Sequence, residues 1–169
     1  IKGLKEKYPL IRYLVVGKYD KPEKLRVDAI ISSLKLEDNI IFTGFIPDDE
    51  LAAHYTIADL YIMPSKKEGF GIVFIEAMFY GIPVIAGNKD GSVDALQNGK
   101  FGLLINPDDQ QEISNAIIKV ISNNPIAIGS GFIPNRQDVI DKFGYQVYKE
   151  NLQKILDLTP RPSPKERGA

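Results

Sequence analysis

Dense apolar runs and helically spaced apolar stripes alternate along this chain. The runs are Ile11 to Val16, Asn39 to Thr43, Leu60 to Met63, Val84 to Gly87 and Gly102 to Ile105. Runs this short, most of them closed by glycine or proline, predict strands covered on both faces. Between them, Val27, Ile30, Ile31 and Leu34, with Leu25 beside them, repeat at helical spacing. Ile113, Ala116, Ile117, Val120 and Ile121 form a second stripe, and Tyr145, Tyr148, Leu152, Ile155 and Leu156 a last one. Ile1 to Tyr8 reads as a helix end closed by Pro9, and Val93 to Gln97 as a short helix. Asp48-Asp49-Glu50 place acids where a short helix through Tyr55 would begin, which suits its dipole. Asp109 and Glu112 have capping-box spacing. Alternating strand and helix predicts an α/β fold with a doubly wound, mostly parallel sheet flanked by helices. Residues 124 to 135 read as an irregular connection. One domain is expected over 1–158. Residues 159–169 hold three prolines and no large apolar side chain, so a disordered tail is expected there.

The stretch from Pro64 to Pro83 carries the chemistry. A strand leads into a glycine-bearing loop, then an apolar helix stopped by Gly81, then the strand opened by Pro83. Glu68 lies in the loop and Glu76 in the helix, among Ile72, Val73, Phe74, Ile75, Ala77 and Met78. A carboxylate in so apolar a helix is costly unless it is paired, hydrogen-bonded or opened onto a cleft. Gly69 and Gly71 let backbone approach a ligand closely, and the helix N-terminus after them favours an anion. Together these features suggest a phosphorylated, hydroxyl-rich ligand. In open α/β sheets ligands sit beyond the carboxyl ends of strands. Lys18, Phe45, Glu68 and Asp90 all follow strand ends.

The Glu-x7-Glu spacing inside EGFGIVFIEAMFYGIPVIAG resembles the donor-site motif of the family 4 (group 1) retaining glycosyltransferases, which have two Rossmann-like domains (the GT-B fold). The likeness runs from about Leu10 to Leu158 and is to the C-terminal, donor-binding half. It implies transfer of a hexose-type sugar from a nucleotide-diphosphate sugar to an acceptor, in polysaccharide or glycoconjugate synthesis. It gives Glu76 the ribose hydroxyls, for which a carboxylate suits a vicinal diol. Otherwise Glu76 caps a backbone group or pairs with a lysine. Glu68 is placed beside the transferred sugar, as a positioning and electrostatic group. The other reading of Glu68 is a solvated loop acid. Phe70, Gly71, Ile72 and Val73 would offer backbone N–H groups to the diphosphate or sugar. Phe45, in Gly44-Phe45-Ile46-Pro47, would lie beside the base or else in the core. Gly91 and Ser92 stand where the family commonly has a glycine pair; only Gly91 is retained, so a simple turn with a helix cap is the other reading. Gly17-Lys18 departs from the family's glycine-rich turn.

The first residue is Ile1 rather than Met, so a piece of something longer is expected. The resemblance places a phosphate-clamping arginine and lysine upstream of it, together with the N-terminal acceptor domain. The fragment alone is then expected to be inactive, and an uncovered sheet edge would favour self-association.

Bulk properties narrow the field further. The formal net charge is −1, which gives no reason to expect nucleic acid or an anionic membrane surface as partner. There is no cysteine, so thiolate chemistry and disulfides are excluded; a cytoplasmic setting is compatible. No run approaches a membrane span and no signal peptide opens the chain. His54 is the one histidine and has no acid partner nearby in sequence; no metal-binding pattern is present and no cofactor is expected beyond the donor substrate. Phe79-Tyr80 and the Tyr145, Tyr148 stripe read as core. Two other functions remain in view: a different GT-B enzyme, such as an epimerase or phosphorylase, and a non-catalytic doubly wound binding module. A receiver-like module would want acids where this chain has Gly17-Lys18 and Pro64-Ser65.

Overall fold

In the computed structural model, which describes residues 1–122 and 134–158, the apolar runs become five parallel-paired strands. They are β1 (Tyr13–Val16), β2 (Ile40–Gly44), β3 (Tyr61–Met63), β4 (Val84–Gly87) and β5 (Leu103–Ile105). The helices are α1 (Lys2–Lys7), α2 (Lys21–Ser33), α3 (Asp48–Thr56), α4 (Ile72–Phe79), α5 (Ser92–Ala95), α6 (Gln110–Ile121), α7 (Arg136–Phe143) and α8 (Tyr145–Leu158). The α/β alternation expected from the pattern is present. The irregular connection expected before residue 134 and the tail at 159–169 lie outside the described residues.

The strands divide into two pairings. β1 lies beside β2, with Tyr13 opposite Ile40 and a register shift between Val15 and Val16. β4 is the centre of the order β3-β4-β5, with Ile85 opposite both Ile62 and Leu103. Every residue of β4 is buried, as a strand covered on both faces requires. Its alternation separates two cores. Val84 and Ala86 join Phe74, Ala77, Met78, Leu96 and Val139, beneath α4, α5 and α7. Ile85 joins Leu4, Ile105, Ala116, Ile117 and Val120, beneath α1 and α6. This is the layering that positions the site, because it sets β3 and β4 side by side with their carboxyl ends at one rim.

Local caps fix the helix starts. Asp20 accepts from the Glu23 N–H at 3.1 Å ahead of α2. Asp109 accepts from the N–H groups of Gln111 and Glu112 at 2.9 and 3.0 Å ahead of α6. Glu112 does not return the favour to Asp109; its carboxylate accepts from the Asn106 N–H at 3.1 Å, so the expected box is one-sided. The reciprocal box belongs to Asn135 and Asp138 at α7, a helix the apolar pattern did not show.

Several apolar positions are less buried than the pattern suggests. α2 buries only Ile31, while Leu25 and Ile30 are exposed. Tyr145 and Tyr148 are exposed as well, so the α8 stripe is not core among the described residues. Tyr80 is 41% exposed and Phe79 only partly buried, under the Arg136 guanidinium at 3.9 Å from its ring centroid.

Candidate functional site

Two backbone loops are locked together at the carboxyl ends of β3 and β4. The Glu68 N–H donates to Asp90 Oδ2 at 2.8 Å, and the Gly91 N–H donates to the Glu68 carbonyl at 2.9 Å. The contact admits no side chain, since a Cβ on Gly91 would lie 1.9 Å from the Gly69 carbonyl oxygen. Asp90 also accepts from the Ser92 N–H at 3.1 Å. Burial works against its charged form, but the hydrogen bonds from Ser92, from the Glu68 backbone and from Ser65 outweigh it and hold the carboxyl below its ordinary range. Glu68 is thereby fixed by its backbone, while its Oε1 folds back to the Phe70 N–H at a long 3.4 Å.

Gly71 then turns the chain into α4. Its φ of 87° lies in the left-handed region, and a Cβ there would stand 2.3 Å from the Phe74 ring and 3.2 Å from Glu68 Cγ. No side chain caps α4. The N–H groups of Ile72 and Val73 take no partner among the described residues. Ile72 is exposed at this end, and the Phe70 ring meets Phe143 of α7 edge to face at 6.1 Å. Of the four expected backbone donors, Phe70 is the one already engaged, by Glu68.

Glu76 sits further along α4, partly buried. Among the described residues neither a lysine nor a backbone group is its partner. The Tyr55 hydroxyl, from α3, donates to its Oε2 at 2.8 Å. Tyr55 is buried and lies flat against Tyr80, with centroids 5.3 Å apart and planes 10° apart. Burial, and then the hydrogen bond and charge of Glu76, push the Tyr55 phenol far up, so it stays a donor. The Tyr61 phenol is pushed up to about 12, by burial first and then by the charges of Tyr13, Glu76 and Glu68. A cavity of about 310 Å³ opens beside Glu76, lined by Leu51, Tyr55, Ile75, Phe79 and Tyr80; Glu68 and Gly71 do not line it.

The strand-end residues gather as two pairs rather than one group. Glu68 and Asp90 meet as described. Lys18 and Phe45 meet after β1 and β2, with the ammonium 5.2 Å from the ring centroid. Phe45 is 66% exposed, so it is not a core residue. Ser92 is fully buried at the start of α5 and serves the lock through its N–H. His54 only receives a local contact, its Nδ1 lying 2.9 Å from the Glu50 carbonyl. Among the described residues no group of three His, Cys, Asp or Glu side chains could hold a metal ion, and no helix is long and apolar enough to cross a membrane. Sequence reasoning missed Tyr55 as the partner of Glu76 and Asp90 as the staple of the Glu68 loop. Asp90 carried a signal, a short acid just after a strand and before a glycine; Tyr55 carried none.

The parallel α/β layering matches that of solved GT-B glycosyltransferases. The Anabaena protein HepE, solved with UDP, superposes with a TM-score of 0.71 and 26% identity, over 87% of this chain and 41% of that one. The C-terminal domain of a group 1 glycosyl transferase from Francisella tularensis gives 0.70 and 25%, over 84% and 74%. The family model for glycosyl transferases group 1 matches residues 1–142, and this chain belongs to that family. Among curated relatives, a GDP-mannose-dependent alpha-(1-6)-phosphatidylinositol monomannoside mannosyltransferase of Mycobacterium tuberculosis is 36% identical over 56% of this chain and 26% of its own length. A 2-deoxystreptamine glucosyltransferase of Streptomyces kanamyceticus is 33% identical over 78% of this chain and 33% of its own. The chain thus spans about a quarter to a third of the length of these relatives.

Proposed function

We propose that this chain is the donor-binding half of a retaining glycosyltransferase and holds a nucleotide-diphosphate sugar. Glu76 takes the ribose hydroxyls. The unpartnered N–H groups at the start of α4, with Gly71 bringing the backbone close, face the diphosphate. Glu68 lies beside the transferred hexose and stabilises charge there rather than attacking. Gly91 and Ser92 keep the Glu68 loop in place, and Phe45 under Lys18 offers a ring for the base. The observation that carries this reading is the Glu76 carboxylate, held at one oxygen by Tyr55 beside an open cavity. The names of the relatives, with GDP-mannose in one and UDP in another, favour a pyrimidine or purine nucleoside diphosphate as the common element. An acceptor-binding partner domain completes the enzyme; closure between the two halves makes the cleft, so this chain alone does not turn over sugar.

Thermal unfolding with UDP, GDP and ADP tests the reading. A nucleotide at 100 times its dissociation constant adds about 2.7 kcal/mol of stability. Stabilisation by one of the three, lost in Glu76→Ala, supports it. The absence of any shift at millimolar nucleotide counts against it.

A further inference from the structure

We infer that Tyr55 is the positioning residue that makes Glu76 selective for a ribose over a 2′-deoxyribose. The inference rests on the donor-binding reading above and goes beyond it by assigning a second residue to the discrimination. Three observations carry it. The Tyr55 hydroxyl donates to Glu76 Oε2 at 2.8 Å, across a separation of 21 residues that joins α3 to α4. The Tyr55 ring cannot swing away, because it is buried, stacked on Tyr80 at 5.3 Å and packed on Tyr61 at 6.1 Å. Glu76 Oε1 accepts no hydrogen bond among the described residues, and Glu76 lines the cavity.

A lone glutamate on a helix samples several rotamers, and each samples its own set of partners. One bond from a fixed donor removes that freedom. An ionised carboxylate has about four lone-pair sites, so the bond to Tyr55 leaves enough for two hydroxyls of a diol. The second hydroxyl matters only if the carboxylate is held still enough to meet both at once. Without the brace, a mobile carboxylate meets one hydroxyl or water, and a 2′-deoxy sugar then serves nearly as well. The raised pKa of Tyr55 supports this role, since the phenol stays protonated and donating. α3 starts directly after Pro47, so the brace also ties Glu76 to the loop holding Phe45.

The test is isothermal titration of the whole chain with UDP and GDP against their 2′-deoxy forms. Wild type binds the ribo form of its nucleotide more tightly than the deoxy form. Tyr55→Phe keeps the ring and its stacking and removes only the hydroxyl. It is expected to lose about tenfold in affinity for the ribo form, the loss expected for one hydrogen bond to a charged group, with the deoxy form unmoved. The ribo-to-deoxy ratio then approaches one. Val120→Ala, a truncation in the other core, lowers stability and leaves the ratio alone. In a Glu76→Ala background, Tyr55→Phe has nothing left to remove and the ratio does not move. A Tyr55→Phe chain that retains the wild-type ratio overturns the brace while leaving the donor reading in place. A wild-type chain that binds neither pair overturns the donor reading and the brace with it; one that binds both forms equally overturns the brace and leaves nucleotide binding in place.

Discussion

Gly91→Ala separates steric closeness from backbone strain at the heart of the site. Gly91 has φ −62° and ψ −7°, which any L residue adopts freely. Alanine therefore costs nothing in the backbone, and its whole effect comes from what the new methyl meets. That is main chain: the Gly69 carbonyl oxygen at 1.9 Å, its carbon at 2.5 Å and the Glu68 carbonyl oxygen at 3.0 Å. Backbone cannot rotate aside as a side-chain end can, so the Glu68 loop must move. Overpacking of this kind costs about 1–3 kcal/mol. The bond from the Gly91 N–H to the Glu68 carbonyl, 2.9 Å long, is lost with it, at about 0.5–1.5 kcal/mol more. A total of about 1.5–4.5 kcal/mol lowers the midpoint of a chain this size by about 3–18 °C. Differential scanning calorimetry reads the shift, and urea unfolding gives the free energy. On the proposed reading, affinity for a nucleotide sugar falls too, because Glu68 no longer holds its place beside the hexose. A midpoint within about 1 °C of wild type would refute the lock between the two loops.

Other outcomes follow from the same geometry. Gly71→Ala combines a left-handed φ with a methyl 2.3 Å from the buried Phe74 ring, and is expected to cost about 2–4 kcal/mol in urea unfolding. Asp90 has its folded pKa below its ordinary value. Its contribution is therefore full above the unfolded pKa of about 3.9 and is lost as pH falls through the folded pKa. Asp90→Asn should lower stability at neutral pH, and its gap from wild type should shrink below about pH 4 in unfolding curves. Leu25→Ser, on the exposed side of α2, should change stability by less than about 0.5 kcal/mol despite its place in an apolar stripe.

Much of the architecture was legible, because dense apolar runs closed by glycine and proline are local signals. β4 matched its run residue for residue, since a strand buried on both faces needs every position apolar. The entry to α4 through Gly71 and its stop before Gly81 were legible for the same reason: both glycines have positive φ. The division of the strands into β1-β2 and β3-β4-β5 was not, because pairing is decided between distant segments. α7 was hidden by its polar face; it buries only Val139, so no stripe marks it, although Asn135 and Asp138 spell its cap. Periodicity shows that a helix has an apolar face and not what covers it, which is why the stripe through Tyr145 and Tyr148 reads as core although both are exposed. At the candidate site, spacing and apolar context single out the two glutamates. Tyr55 is not singled out, since a tyrosine at the end of a short helix looks the same whether its hydroxyl has a role or not.

The most direct test of the proposed donor site is a map of amide shifts on adding UDP, GDP or ADP to the labelled chain. The account predicts that the amides of Gly71, Ile72, Val73 and Glu76 move together and saturate together, while those of Ile117 and Val120 in the opposite layer stay still. Shifts centred on α6, or no shift at millimolar nucleotide, would contradict it.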